Sequence, residues 1–203
     1  MLLIGRYLSP FVRRVAVTLQ WLDIPYEHRS LSPAHDADAV RPFNPMVKVP
    51  ALVLDDGEIL VESGAILDSI LETAPNQTLL PQSGAARRRV LQNCGAMTSA
   101  LDKCVAAVYE KTKRPEEKIH APFLELLTEQ VRAGANQVND RIAEGQFGGI
   151  EQPTLADLTA AVGYTFIHQV LPDVVNAQAQ PALAALAEAF ENTEAFKATR
   201  FKS

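Results

Sequence analysis

Cysteine is scarce in this chain: two in 203 residues, Cys94 and Cys104. They lie in a stretch of helical character at a spacing that fits neither a disulfide framework nor a set of metal ligands, so no metal centre is expected and both thiols are expected buried and reduced. Long hydrophobic runs are also missing. No segment nears the roughly 20 apolar residues that span a bilayer. The opening Met1-Leu2-Leu3-Ile4-Gly5-Arg6 is too short and wrongly flanked for a signal peptide, so a cytoplasmic location is expected. No sign of charge dominates: 19 basic against 24 acidic residues give a net charge of -5. That removes any global drive toward nucleic acid or an anionic membrane. What remains is ordinary. With 47% hydrophobic and 21% charged residues, disorder is excluded and there is room for one large or two small domains.

Composition shifts along the chain. Residues up to 81 hold Pro10, Pro25, Pro33, Pro42, Pro45, Pro50, Pro75 and Pro81 and the β-branched runs, and the rest reads as helix. Thr73-Ala74-Pro75-Asn76-Gln77-Thr78-Leu79-Leu80-Pro81 has two prolines and no helical period, which suits a linker. In the first part, Leu2-Leu3-Ile4 predicts a buried strand. A helix follows, capped by Ser9 with Pro10 at its first position and Val12, Val15, Leu19 and Leu22 on one stripe. A strand at residues 26–29 and a short helix at 34–41 come next. Then Ala51-Leu52-Val53-Leu54 and Glu58-Ile59-Leu60-Val61 flank an Asp-Gly turn, a hairpin signal. Ser63 is expected to cap the following helix. The order β-α-β-α-β-β-α implies a βαβ unit followed by a hairpin in one mixed sheet. In the second part, helices are predicted over 84–112 and 116–144. Another starts at Thr154-Leu155-Ala156-Asp157, a capping box with Asp as its acid, and a last one follows Pro181.

Three short motifs can carry chemistry. Ser9-Pro10-Phe11-Val12-Arg13-Arg14 sits at a strand-to-helix junction. A hydroxyl there stands among unsatisfied N–H groups at the positive end of the helix dipole, so it suits either a plain N-cap or a donor to a bound anion. With no His or Asp beside it in sequence, Ser9 lacks the base a nucleophile needs. Asn44-Pro45-Met46-Val47-Lys48-Val49-Pro50-Ala51 leads into the hairpin. An ordinary trans proline would simply start the strand there, whereas a cis Val49-Pro50 bond would expose the Val49 backbone to an extended peptide. Glu62-Ser63 opens the next helix; the serine suits a carboxylate and the glutamate an ammonium, together the free end of an α-amino acid.

In this order and at these spacings the three motifs resemble the glutathione transferase family over nearly the whole chain. The resemblance implies a thioredoxin-like N-terminal domain with a mixed four-stranded sheet over residues 1–76, a linker at 77–82 and an all-helical domain over 83–203. It implies that Ser9 activates the glutathione thiol and that Val49 and Pro50 hold the cysteinyl part. Glu62 and Ser63 would then hold the γ-glutamyl end, with Lys48 near the glycyl carboxylate and Phe11 also among the glutathione-binding residues. Bacterial members read Ser-Pro-Phe/Tyr-Val-Arg-Lys at the first motif, and the omega class has Cys-Pro-Phe there. Serine in place of that cysteine disfavours mixed-disulfide chemistry. Val47 stands where the family commonly has glycine, so if that position needs a positive φ the loop is strained.

The expected reaction is attack of the glutathione thiolate on a small apolar electrophile, in a pocket between the domains lined by Leu8, Phe11, Val105, Tyr109, Tyr164 and His168. The alternatives are a catalytically weak relative that only binds or regulates, or a glutathione-dependent dehalogenase or isomerase; the usual Ser-Ser-Cys signature of the isomerases is absent. The family pattern also implies a homodimer. Arg87-Arg88-Arg89 fits either that interface or a solvated charge run.

Overall fold

In a computed structural model of the chain, residues 1–75 and 77–201 are described. The expected domain boundary at residue 76 and the final positions 202–203 lie outside them. The chain forms two compact units, Met1–Gln82 with Asn192–Ser203, and Ser83–Glu191.

The first unit runs β1 (Leu2–Ile4), α1 (Pro10–Trp21), β2 (Glu27–Arg29), α2 (Ala37–Val40), β3 (Ala51–Val53), β4 (Ile59–Val61) and α3 (Ser63–Thr73). Its sheet is four-stranded in the order β2-β1-β3-β4. β1 and β2 are parallel, as a βαβ unit requires, and the other pairs are antiparallel. This is the thioredoxin-like arrangement. Leu3, Ile4 and Leu52 of the sheet are fully buried, together with Val12, Val15 and Leu19 of α1 and Ile66 and Leu67 of α3. The Asp-Gly hairpin closes through Leu54 N–H donating to the Glu58 carbonyl at 2.8 Å, with Gly57 at a φ of +90°.

The second unit holds α4 (Gly84–Thr112), α5 (Ala121–Ala143), α6 (Leu155–Val170) and α7 (Pro181–Glu191). α4 spans the predicted range. α5 begins later than its apolar period suggests: Glu116–Lys118 forms a separate 3-10 turn. Pro122, without an N–H, falls in the first turn of α5, where it is tolerated. The buried carboxylate of Glu110 on α4 ties this link down, accepting from His120 N–H at 3.1 Å and from Arg114 Nε at 2.8 Å. The capping box of Thr154 and Asp157 forms at the start of α6. Both cysteines are free and buried, and burial pushes the Cys104 thiol up to about 12. Among the described residues, no helix is long and apolar enough to cross a membrane.

One further short helix, α8 (Glu194–Ala198), follows the helix that was expected to be last. It belongs to the first unit. Arg13 on α1 reaches it, donating from Nη2 to the Phe196 carbonyl at 3.3 Å with its guanidinium 5.5 Å from the Phe196 ring centre.

Candidate active site

Strand register places the three motifs together. Ile4 pairs with Ala51, and Ala51 pairs with Val61. β1 and β4 therefore end, and β3 begins, at one edge of the sheet. The loop carrying Ser9 leaves that edge after Ile4, Val49-Pro50 enters it before Ala51, and Glu62-Ser63 leaves it after Val61. Gly5 makes the convergence possible: a Cβ on it would stand 2.5 Å from Val12 Cγ2 and 2.9 Å from Val49 Cβ, and its φ of +128° is open only to glycine.

Ser9 is half-buried and takes the cap position of α1, its Oγ accepting from Val12 N–H at 3.4 Å. A hydroxyl that accepts keeps its own proton to donate. Pro10 has no N–H, so the amides of Phe11 and Val12 are the first at this helix end. Tyr7, two residues earlier, is engaged elsewhere. Its hydroxyl hydrogen-bonds the Tyr26 hydroxyl at 2.9 Å, and its ring stacks on His28 at 4.0 Å. Burial first, and then Tyr26, push its pKa up, so it stays protonated.

The Val49-Pro50 bond is cis. Asn44, 3% exposed, braces the loop that leads to it. Its Nδ2 donates to the Lys48 carbonyl at 3.1 Å, its Oδ1 accepts from Met46 N–H at 3.0 Å, and its own carbonyl accepts from Val47 N–H at 2.9 Å. Within that brace Val47 sits at a φ of +52°, left-handed backbone that a β-branched residue adopts only under strain. Lys48 itself is exposed.

At the start of α3 the capping differs from expectation. Glu62, not Ser63, is the cap residue: held at a φ of +49°, it accepts through Oε1 from Gly64 N–H at 2.8 Å and Ala65 N–H at 3.0 Å. Ser63 is the first helical residue and is 2% exposed. It accepts from Arg14 Nη1 at 3.2 Å. A second carboxylate oxygen of Glu62 and the Ser63 proton remain for other partners.

Of the residues expected on the electrophile side, Leu8 and Phe11 are half-buried in the first unit, and the other four lie in the second. α4 carries Val105 and the 54% exposed Tyr109. α6 brings Tyr164 and His168 together, their rings stacked at 5.6 Å. Burial pushes the Tyr164 hydroxyl up, and His168 Nδ1 hydrogen-bonds the Val175 carbonyl at 3.0 Å. Arg14 and Asn44 were quoted within motifs without a role, because their partners are set by the fold.

The family description "Glutathione S-transferase, N-terminal domain" matches residues 3–78, the stretch that contains all three motifs. Residues 3–78 are a glutathione S-transferase N-terminal domain by this match. The chain is also similar to the uncharacterized GST-like protein YibF of Escherichia coli (strain K12), 28% identical over 85% of each chain. A glutathione S-transferase from Methylobacillus flagellatus KT, solved with GSH bound, is 25% identical over 99% of both chains, with a TM-score of 0.90. A glutathione transferase family member from Pseudomonas fluorescens Pf-5, solved with bound glutathione, is 26% identical, covers 100% of this chain and 99% of its own, and has a TM-score of 0.86.

Proposed function

We propose that this chain is a glutathione transferase that binds glutathione along the sheet edge and presents its thiolate to a small apolar electrophile. The observation that carries the reading is the shared edge, where a hydroxyl at a helix N-terminus, a cis-proline loop and a Glu-Ser pair converge from three parts of the sequence. The Val49 backbone pairs with the cysteinyl part of the tripeptide, as an added strand would. The free oxygen of Glu62 takes the γ-glutamyl ammonium and Ser63 its carboxylate, while exposed Lys48 faces the glycyl carboxylate. Within the first unit, Leu8 and Phe11 serve the apolar cosubstrate.

Ser9 is the catalytic residue in this reading. It donates its hydroxyl proton as a hydrogen bond to the sulfur, and the amides and dipole of α1 add to the stabilisation of the anion. Lowering a thiol pKa from about 8.5 to about 6.5 requires roughly 2.7 kcal/mol of preference for the thiolate. A charge-assisted hydrogen bond with the dipole supplies that amount. The thiolate then attacks the electrophilic carbon, and the electron pair of the broken bond leaves with the displaced group. The protein's own thiols stay out of the chemistry, since Cys104 is buried and protonated at neutral pH. The family pattern, with exposed Ile59 and Val61 on edge strand β4 and exposed Met46, supports a homodimer, and the same pattern supports a cytoplasmic, detoxifying role.

Replacing Ser9 by Ala tests the mechanism. The variant should bind glutathione but ionise its thiol at higher pH, followed by ultraviolet thiolate absorbance. An unchanged titration removes Ser9 from the mechanism. Calorimetry on the unaltered protein with glutathione, followed by a panel of electrophiles, separates a transferase from a protein that binds without turnover.

A further inference from the structure

The loop from Gly5 to Ser9 carries the hydroxyl assigned to the thiol, and the cap bond fixes that hydroxyl only loosely: Val12 N–H reaches Ser9 Oγ at 3.4 Å, the far end of hydrogen-bonding range. The firmer hold comes from β2. Gly5 N–H donates to the Arg29 carbonyl at 3.0 Å, which carries the β1–β2 pairing one residue beyond Ile4. The Gly5 carbonyl pairs with His28 Nε2 at 2.7 Å. A carbonyl has no proton to give, so Nε2 carries a hydrogen and is the donor. The same imidazole lies flat against the Tyr7 ring, with centroids 4.0 Å apart and planes 4° from parallel. On its other side Tyr7 is tied to β2 again, its hydroxyl 2.9 Å from that of Tyr26. One exposed side chain of β2 therefore grips the loop at two residues, Gly5 by a hydrogen bond and Tyr7 by its face. Between them, the Arg6 carbonyl accepts from Ser9 N–H at 3.0 Å. The grip is thus passed to the residue whose hydroxyl must be aimed.

We infer that His28 is a positioning residue for Ser9: through Gly5 and Tyr7 it holds the loop so that the Ser9 hydroxyl meets the glutathione sulfur, acting on the loop rather than on the ligand. This rests on the reading of Ser9 as the thiol activator. A hydrogen bond weakens steeply when its donor is misaimed, so loosening the loop raises the thiol pKa. The hold on the rest of the tripeptide, assigned to Val49, Glu62 and Ser63, is left in place. Because the imidazole is exposed, removing it opens no cavity in the core and the fold should survive.

The test follows the ultraviolet thiolate absorbance of bound glutathione against pH in the unaltered protein and in His28→Ala, His28→Phe, His28→Gln, Ser9→Ala and the His28→Ala/Ser9→Ala double variant. His28→Ala should raise the pH of half-ionisation by about half a unit, roughly a threefold fall in the ionisation constant. Phenylalanine keeps the stacked face without the donor and glutamine a donor without the face, so each should recover part of the shift. In the Ser9→Ala background His28→Ala should add nothing, because the group it positions is gone. Calorimetric affinity for glutathione in mild acid, where the bound thiol keeps its proton, should stay within about twofold in His28→Ala. A thiol that ionises at the unaltered pH in His28→Ala but is shifted in Ser9→Ala overturns the inference and leaves the role of Ser9 standing. An equal shift from His28→Ala with and without Ser9, or a loss of affinity in acid of about tenfold or more, also overturns it and makes His28 a general prop of the fold. If His28→Ala does not fold, His28→Phe and His28→Gln decide: a shift that vanishes in the Ser9→Ala background supports the role, and one that persists there or is absent overturns it. If Ser9→Ala itself leaves the titration unchanged, or the unaltered protein does not bind glutathione, the reading of the site fails and the role of His28 falls with it.

Discussion

The two units place irregular backbone in opposite ways. Among the described residues of Ser83–Glu191, every left-handed position is a glycine: Gly84, Gly145 and Gly149. In the first unit Asp23, Val47 and Glu62 adopt positive φ without being glycine, and Val47 and Glu62 belong to the motifs that form the candidate site. The helical unit uses the residue type that each turn prefers and is organised by buried polar groups. The sheet unit accepts strain of roughly 1–3 kcal/mol at such positions, two of which lie in the proposed glutathione site. Stability and binding should therefore separate in the helical unit, and travel together in the sheet unit wherever a substitution moves the Val49 backbone.

The largest effect should come from the helical unit. Asp157 is fully buried and accepts from Gly149 N–H at 2.7 Å, Gly148 N–H at 3.3 Å, and the Thr154 amide and hydroxyl at 2.8 and 2.6 Å. Asp157→Ala leaves these donors without their acceptor and should cost roughly 4 kcal/mol, read from the urea unfolding midpoint. The folded variant should bind glutathione as before. A loss below about 1 kcal/mol would show that water replaces the carboxylate and that the capping box is not what holds the 148–154 loop.

In the sheet unit, Gly5→Ala should cost about 3 kcal/mol, because its Cβ meets Val12 and Val49 and its φ disfavours any side chain. Unlike Asp157→Ala, it should also weaken glutathione binding severalfold, since relieving the clash moves the Val49 backbone. If affinity is unchanged while stability falls, the proposed coupling of fold and site at this edge is wrong.

The sequence signals that worked were local ones. Ser9 before Pro10, the Asp-Gly turn, and Thr154 three residues before Asp157 each decide a backbone conformation within a few residues, and the elements start where they indicate. The failures depend on distant partners or on φ. Arg13 and Arg14 are adjacent and chemically identical, yet one bonds Phe196 and the other Ser63, 183 and 49 residues away. Nothing local separates their roles. The cap of α3 is Glu62 rather than Ser63, because Glu62 adopts a positive φ with its carboxylate on the Gly64 and Ala65 amides, a backbone setting that residue type does not announce. α8 was missed because a helix of five residues has too few positions to show a period.

The smallest predicted effect probes the strain directly. Val47→Gly removes a β-branched side chain from left-handed backbone, worth about 1–2 kcal/mol, but adds up to about 1 kcal/mol of unfolded-chain entropy and loses part of a half-buried side chain's packing. The net should be a gain of roughly 0.5 kcal/mol in urea unfolding. Because Asn44 braces the backbone on both sides of position 47, the Lys48 carbonyl and the Val49 backbone should keep their places and glutathione affinity should stay within about twofold. A stability loss would mean that valine packing outweighs the strain. A large affinity change would mean that Val47, rather than Asn44, sets the course of the loop, and the sheet unit would then resemble the helical one less than the brace implies.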